Sequence, residues 1–281
     1  FSGQICIYSR DEVKQTEMRE RLDDPRMRYF IGDVRDRHRL DLAMRGVNVV
    51  IHAAALKQVP TCEYNPSEAV ATNIGGSENV VRAAIDARVD RVVALSTDKA
   101  CAPYNLYGAT KAVAERLFLA ANAYSPRGTA FSVVRYGNIS GSRGSVIPVW
   151  RDKIAKGESV TIHDAEATRF WFTLDGAVDL VLWTLQDLPG NCMAVPSLPS
   201  FKITELAQAM NASVTYGSKR PGDKTHESMI SSHESQDFVR ADGRYVRGIN
   251  GGALPPGFEY SSGTNDQWLT VDDLKRELES V

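Results

Sequence analysis

Tyr107 and Lys111, spaced Tyr-x-x-x-Lys, put a phenol and an ammonium one helical turn apart on the same face. A cation beside a phenol favours the phenolate, lowering a pKa that is about 10 in isolation. A tyrosine tuned this way can act as general base on a sugar or alcohol hydroxyl. Upstream, the apolar run Arg91-Val-Val-Ala-Leu-Ser96 leads into Thr97-Asp98-Lys99. An acid and a base side by side at a strand's C-terminal end lie on the edge where α/β proteins place their chemistry. On an exposed helix Tyr-x-x-x-Lys is usually accidental; behind a strand ending in Thr-Asp-Lys it reads as machinery.

Alternating elements must position these groups. Residues 4–9, 27–31, 47–55, 91–97 and 131–136 read as strands, with helices over 12–22, 37–45, 66–87 and 105–124. Short apolar strands alternating with helices predict an α/β fold, a Rossmann-type doubly wound parallel sheet with helices on both faces. Past about residue 145 the rhythm loosens, with more Pro and Gly. The reading assigns residues 1–156, with 175–196 returning as a helix and a strand, to the dinucleotide-binding domain. Residues 157–174 and 197–281 form a smaller C-terminal substrate-binding lobe. Phe170, Trp171 and Trp150 read as core.

Composition excludes several classes. The 281 residues carry a formal net charge of −2, with no strongly basic stretch that would suit nucleic acid. No apolar run approaches the ~18 residues that span a membrane. Cys6, Cys62, Cys101 and Cys192 are scattered without C-x-x-C spacing and read as reduced, cytoplasmic thiols. The five histidines lie far apart, so no metal site is expected.

No G-x-G-x-x-G occurs in the chain, although a Rossmann unit opens with that turn. Either a first βα unit of roughly 20–30 residues is missing from this sequence, or the protein binds no dinucleotide. Several residues favour the first alternative. Ser9, Arg10 and Lys14 follow the strand ending at Tyr8, where NAD-preferring proteins keep an acid and where an Arg accommodates a 2′-phosphate. They point to NADP. Asp33, at the next strand end, can accept from an adenine amino group or cap the following helix. His52-Ala53-Ala54-Ala55 closes a buried strand in small residues that let a flat cofactor approach the backbone. Lys57 follows at the rim, within reach of cofactor or substrate, and Asn73 could direct an amide at the cofactor.

Collectively these segments are familiar. Tyr8-Ser-Arg-Asp-Glu12, Gly32-Asp-Val-Arg-Asp36, His52-Ala-Ala-Ala-Leu-Lys57, Ser96-Thr-Asp-Lys99, Asn105-Leu-Tyr-Gly-Ala-Thr-Lys111, Arg135-Tyr-Gly-Asn138, Thr168-Arg-Phe-Trp171 and Arg220-Pro-Gly222 occur in that order. The chain resembles the extended short-chain dehydrogenase/reductases, and among them the inverting UDP-N-acetylglucosamine 4,6-dehydratases of pseudaminic acid synthesis. The resemblance runs from residue 4 to the end. It implies a closed redox cycle on one sugar with a resident NADP. Tyr107, with Lys111 beside it, would take the C4 hydroxyl proton. Lys99 would remove the C5 proton, Asp98 would protonate the departing C6 hydroxyl, and Thr97 would hold substrate or ketone. Asn138, Arg169 and Arg220 would grip the UDP-sugar, two arginines suiting a pyrophosphate. It further implies a homo-oligomer whose interface includes the Tyr107 helix. The competing readings are a nucleotide-sugar C4 or C5 epimerase, from which Asp98-Lys99 would distinguish a dehydratase, and a non-catalytic binder.

Overall fold

The computed structural model describes residues 3–125, 128–142, 144–219 and 222–281. The first half alternates as its sequence pattern requires: β1 (Ile5–Ser9), α1 (Glu12–Leu22), β2 (Met27–Ile31), α2 (Arg37–Ala43), β3 (Val49–His52), α3 (Val59–Tyr64), α4 (Pro66–Val70), α5 (Gly76–Ala87), β4 (Arg91–Leu95), α6 (Leu106–Ala121) and β5 (Ala130–Val134). Caps mark where helices begin. The Asp11, Asp36 and Asn105 side chains accept from backbone N–H groups in the first turns of α1, α2 and α6. Asp36 thus takes the capping task that Asp33 could have held.

The expected helix over 66–87 is one path in three stretches, because a π turn at Ala71–Gly75 joins α4 to α5. α3 was not expected. Pro60 lies in its first turn, where the missing N–H costs nothing, so a residue that usually breaks a helix starts one.

The second half contains α7 (Val146–Ala155), β6 (Val160–Ile162), β7 (Thr168–Phe170), α8 (Leu174–Asp187), β8 (Cys192–Pro196), β9 (Ser200–Lys202), α9 (Ile203–Ala209), β10 (Val214–Tyr216), β11 (Ser228–Ile230), β12 (Phe238–Ala241), β13 (Arg244–Arg247), β14 (Tyr260–Ser261) and α10 (Val271–Glu279). Among the described residues the main sheet has six strands in the order β12-β13-β8-β5-β4-β3. Its β3, β4, β5 and β8 are parallel, and β13 and β12 add an antiparallel edge. β1 and β2 pair in parallel as a separate ribbon.

The β12–β13 hairpin corrects one expectation, since residues 238–247 had been assigned to the smaller lobe. Their strands are apolar enough for the sheet: Phe238 and Val246 are fully buried. The main core lies on this sheet, with Val92, Val93, Phe118, Phe131, Val133, Leu180 and Met193 among its members. A second core joins Ile147, Trp150, Val160, Trp171, Phe201, Leu206 and Leu274. α10 is fixed by a Thr270–Asp273 capping box, and Glu277 accepts from Trp171 Nε1 at 2.9 Å. No described helix is long and apolar enough to cross a membrane.

Candidate active site

β4 aims its C-terminal end at the site. Beyond it, the parallel ladder continues through Ser96 N to Val134 O (2.7 Å) and Asp98 N to Tyr136 O (3.0 Å). The chain then closes a 3₁₀ turn over Asp98–Ala100, capped by the Thr97 hydroxyl, which accepts from Lys99 N at 3.3 Å. α6 lies directly on this turn. A Cβ on Gly108 would stand 2.1 Å from the Lys99 carbonyl oxygen, so only glycine lets the Tyr107 helix approach so closely.

The candidate side chains lie together. The Tyr107 phenol is close enough to Thr97, Lys99 and Asp98 for each to act on its ionisation. Thr97 Oγ1 donates to Asp98 Oδ1 at 2.9 Å, and Lys99 Nζ donates to the same oxygen at 3.2 Å. Lys99 Nζ also donates to Glu227 Oε1 at 3.0 Å. Thr97, Asp98 and Glu227 are all buried, with Asp98 only 2% and Glu227 only 3% exposed. One cation therefore lies between two buried carboxyl groups.

Ionisation follows from that arrangement. Burial raises the Asp98 pKa, and the Glu227 charge adds to the rise, against the pull of Lys99 and Thr97. Asp98 therefore gives up its proton less readily than an ordinary aspartate. Burial alone would discharge Lys99, but Asp98 and Glu227 outweigh it and hold the ammonium. Burial likewise opposes ionisation of Glu227, yet Lys99 and Arg169 keep its pKa low.

Tyr107 differs from expectation. Burial raises its pKa, partly offset by the Thr97 hydrogen bond and by Lys99. Lys111 Nζ donates to Leu95 O at 2.7 Å. Burial pulls the Lys111 pKa down to about 8, against the nearby Glu115. The cation acting on the phenol in this structure is thus Lys99, which no helical spacing could indicate.

The remaining residues divide by location. Ser9, Arg10, Lys14 and Asp33 lie at the ends of β1 and β2. Ser9 Oγ accepts from Asp11 N, Arg10 pairs with Asp33 at 3.2 Å, and Lys14 pairs with Asp11 at 3.0 Å. Asp33 is also bonded to Arg35, so its carboxylate is engaged by two arginines rather than open to an adenine. Ala53, Ala54 and Lys57 are exposed after β3, and Asn138 is exposed after β5.

Asn73 requires correction as a cofactor contact. It is buried, accepts from Leu56 N and donates to Leu56 O and Thr110 Oγ1, so its amide ties the loop after β3 to the helices beneath. Arg169 donates to the Thr168, Lys224 and Thr225 carbonyls, and its Nε lies 3.9 Å from Glu227. Arg220 lies outside the described residues.

Sequence reasoning gave no role to Glu227 or to a buried cluster beneath the site. There Arg135 donates to both oxygens of Glu115 (2.9 and 2.7 Å), to Glu234 Oε1 (2.7 Å) and to Met229 O (2.8 Å). Ser96 Oγ donates to Glu115 Oε1 at 2.6 Å. A buried arginine opposite two acids is a signal only once the fold brings them together.

Comparison with known proteins places this geometry in a family. The family model described as polysaccharide biosynthesis protein matches residues 2–247. The chain is 44% identical to a UDP-N-acetylglucosamine 4,6-dehydratase (inverting) of Campylobacter jejuni, over 97% of this chain and 88% of that one. It is also 44% identical to a UDP-glucose 4-epimerase of Rickettsia conorii, over 98% of this chain and 86% of the other. Among solved structures, Pen from Bacillus thuringiensis superposes with a TM-score of 0.92 at 32% identity, covering 99% of this chain and 90% of that one. A dTDP-glucose 4,6-dehydratase from Streptomyces venezuelae, solved with NAD bound, shares the fold at a TM-score of 0.76 and 20% identity, over 99% of this chain and 87% of that one. Matched along most of its length by that family model and by relatives at this identity, the chain belongs to the polysaccharide biosynthesis protein family, within the extended short-chain dehydrogenase/reductases.

Proposed function

We propose that the protein dehydrates UDP-N-acetylglucosamine across C4 to C6 with inversion at C5, using NADP, and releases a UDP-2-acetamido-2,6-dideoxy-L-arabino-hexos-4-ulose. The observation that carries this reading is the buried, hydrogen-bonded run Thr97–Asp98–Lys99 with the Tyr107 phenol beside it, which gathers a phenol, a carboxyl group whose pKa burial raises and an amine in one place.

The residues suit a nicotinamide dinucleotide. Ala53 and Ala54 leave the end of β3 open. The buried Lys111 ammonium has one hydrogen-bond acceptor among the described residues, and ribose hydroxyls would supply more. Among the described residues, Arg10 and Lys14 are held by exposed ion pairs, worth little, which a 2′-phosphate could displace. A nicotinamide dinucleotide held by these residues would supply the reversible hydride chemistry between sugar C4 and C6. Tyr107 takes the C4 hydroxyl proton. Once C4 is a ketone the C5 hydrogen is acidic, and the Lys99 amine removes it while Asp98 protonates the leaving C6 hydroxyl. Asn138, Arg169 and Arg220 are assigned to the nucleotide part of the substrate.

Turnover of UDP-N-acetylglucosamine in D₂O is expected to give a 6-deoxy-4-keto product deuterated at C5 with inverted configuration. Tyr107→Phe is expected to slow turnover by about 10²–10⁴-fold, the usual scale for a lost acid/base group. Near-normal turnover by that variant would remove Tyr107 from the role. Nucleotide released on denaturation is expected to be NADP(H); NAD alone would refute the reading of Ser9, Arg10 and Lys14.

The Rickettsia relatives named UDP-glucose 4-epimerase support a second reading, C4 epimerisation. It needs no acid for a C6 hydroxyl and no base at C5. A product that keeps its C6 oxygen and acquires no C5 deuterium would establish it.

A further inference from the structure

Lys99 poses a chemical problem that the sequence conceals. A base at C5 must be a neutral amine, yet Lys99 is held between two carboxyl groups that favour its ammonium. Something must take a proton from it before it can act. Asp98 is not available for that task, because it needs its own proton for the C6 hydroxyl.

We propose that Glu227 is the positioning residue of Lys99 and the acceptor of its proton, a further member of the acid/base set. This rests on the dehydratase reading above. Glu227 Oε1 receives a direct donor from Lys99 Nζ at 3.0 Å, while Oε2 is buried with no hydrogen-bond partner among the described residues. The backbone that carries this half-satisfied carboxylate is paired on both its N–H and its C=O. Glu227 N donates to Ser262 Oγ at 2.9 Å, Ser262 N donates to Glu227 O at 2.8 Å, and Ser262 Oγ lies 2.8 Å from Thr168 Oγ1.

The step balances within the pair. A Lys99 Nζ–H bond breaks and an O–H bond forms on Glu227, turning an ammonium and a carboxylate into a neutral amine and a carboxylic acid. Substrate entry drives this step, because excluding water penalises two separated charges more than a neutral pair. The Nζ lone pair then takes the C5 proton. The electrons of that C–H bond pass into the C4 ketone as an enolate and expel the C6 hydroxyl, which leaves as water with the Asp98 proton. Other charged or titratable groups facing the pair are Tyr107 from α6, Arg169 from β7, and Lys224 and His226 on the segment of Glu227 itself.

Glu227→Gln tests the assignment in protein loaded with NADP⁺ and given UDP-N-acetylglucosamine in D₂O. Formation of reduced nicotinamide should stay within about threefold of wild type, whereas C5 deuteration at neutral pH should fall by about 10²-fold or more. Above neutral pH the variant's exchange should recover about tenfold per pH unit, as hydroxide does what the carboxylate did. Glu227→Asp keeps a carboxylate and should retain the wild-type pH profile at reduced rate, which covers the case of a poorly folding Gln variant. Equal slowing of both phases, unchanged exchange, or faster exchange at neutral pH would overturn the proposal. Wild-type protein that deposits no deuterium at C5 would instead sink the dehydratase reading itself.

Discussion

At the scale of single residues, the site is dominated by side chains whose burial opposes their charge. Lys111 shows the consequence most directly. Its folded pKa of about 8 lies below a lysine's ordinary 10.5, a difference corresponding to about 3 kcal/mol. Below pH 8 both folded and unfolded chains are protonated there, and the folded state bears the full cost. Between pH 8 and 10.5 the unfolded chain binds the extra proton, so stability rises with pH across that window. Lys111→Met should therefore be more stable than wild type at neutral pH, by up to about 3 kcal/mol less its lost hydrogen bond to Leu95. The advantage should disappear as pH rises to 10.5. Urea unfolding at stepped pH without nucleotide measures it, and a pH-independent difference would exclude this cause. The spacing of Tyr107 and Lys111 was legible because helical geometry is local. The direction of the Lys111 amine was not, because it depends on a carbonyl of β4.

Among elements, the contact of α6 with the Asp98–Ala100 turn decides whether the acid/base set exists. Helix propensity favours Gly108→Ala by about 1 kcal/mol. Sterics oppose it, since the new methyl would lie 2.1 Å from the Lys99 carbonyl, a backbone atom that cannot rotate aside. Overpacking typically costs about 1–3 kcal/mol, so the clash should win. The variant should melt lower than wild type, and its C5 exchange should fall along with its stability, since the Lys99 turn must shift. A raised melting temperature would show that α6 can retreat freely. Strands β1 to β5 and their helices were legible from the alternation of apolar runs with helical spacing. The β12–β13 hairpin was not: Phe-Val-Arg-Ala and Arg-Tyr-Val-Arg are short, carry arginines, and gain strand character from pairing, β13 with β8 and β12 with β13.

For the molecule as a whole, the sheet and the chain leading into and out of β11 are joined by charge at two points. Lys99 reaches Glu227 across a sequence separation of 128 residues, and Arg135 reaches Glu234 across 99. No periodicity or motif could reveal either, which is why Thr97-Asp98-Lys99 stood out in the sequence and Glu227 did not. Arg135 is 3% exposed, and removing it leaves Glu115 and Glu234 facing each other. Arg135→Met should cost about 3–5 kcal/mol, as for other broken buried pairs. Adding Glu115→Gln should recover at least about 1 kcal/mol of that loss in a double-mutant cycle. Strictly additive losses would mean that the arginine acts through packing alone.

That fork also bears on how such a chain can change through descent. A guanidinium serving two carboxylates and a carbonyl has no single-step replacement: lysine lacks its planar geometry, and a neutral residue strands two acids. Arg135, Glu115 and Glu234 should therefore be inherited as a set. Lineages that alter one should carry a matching change in another, while the exposed residues around them drift independently.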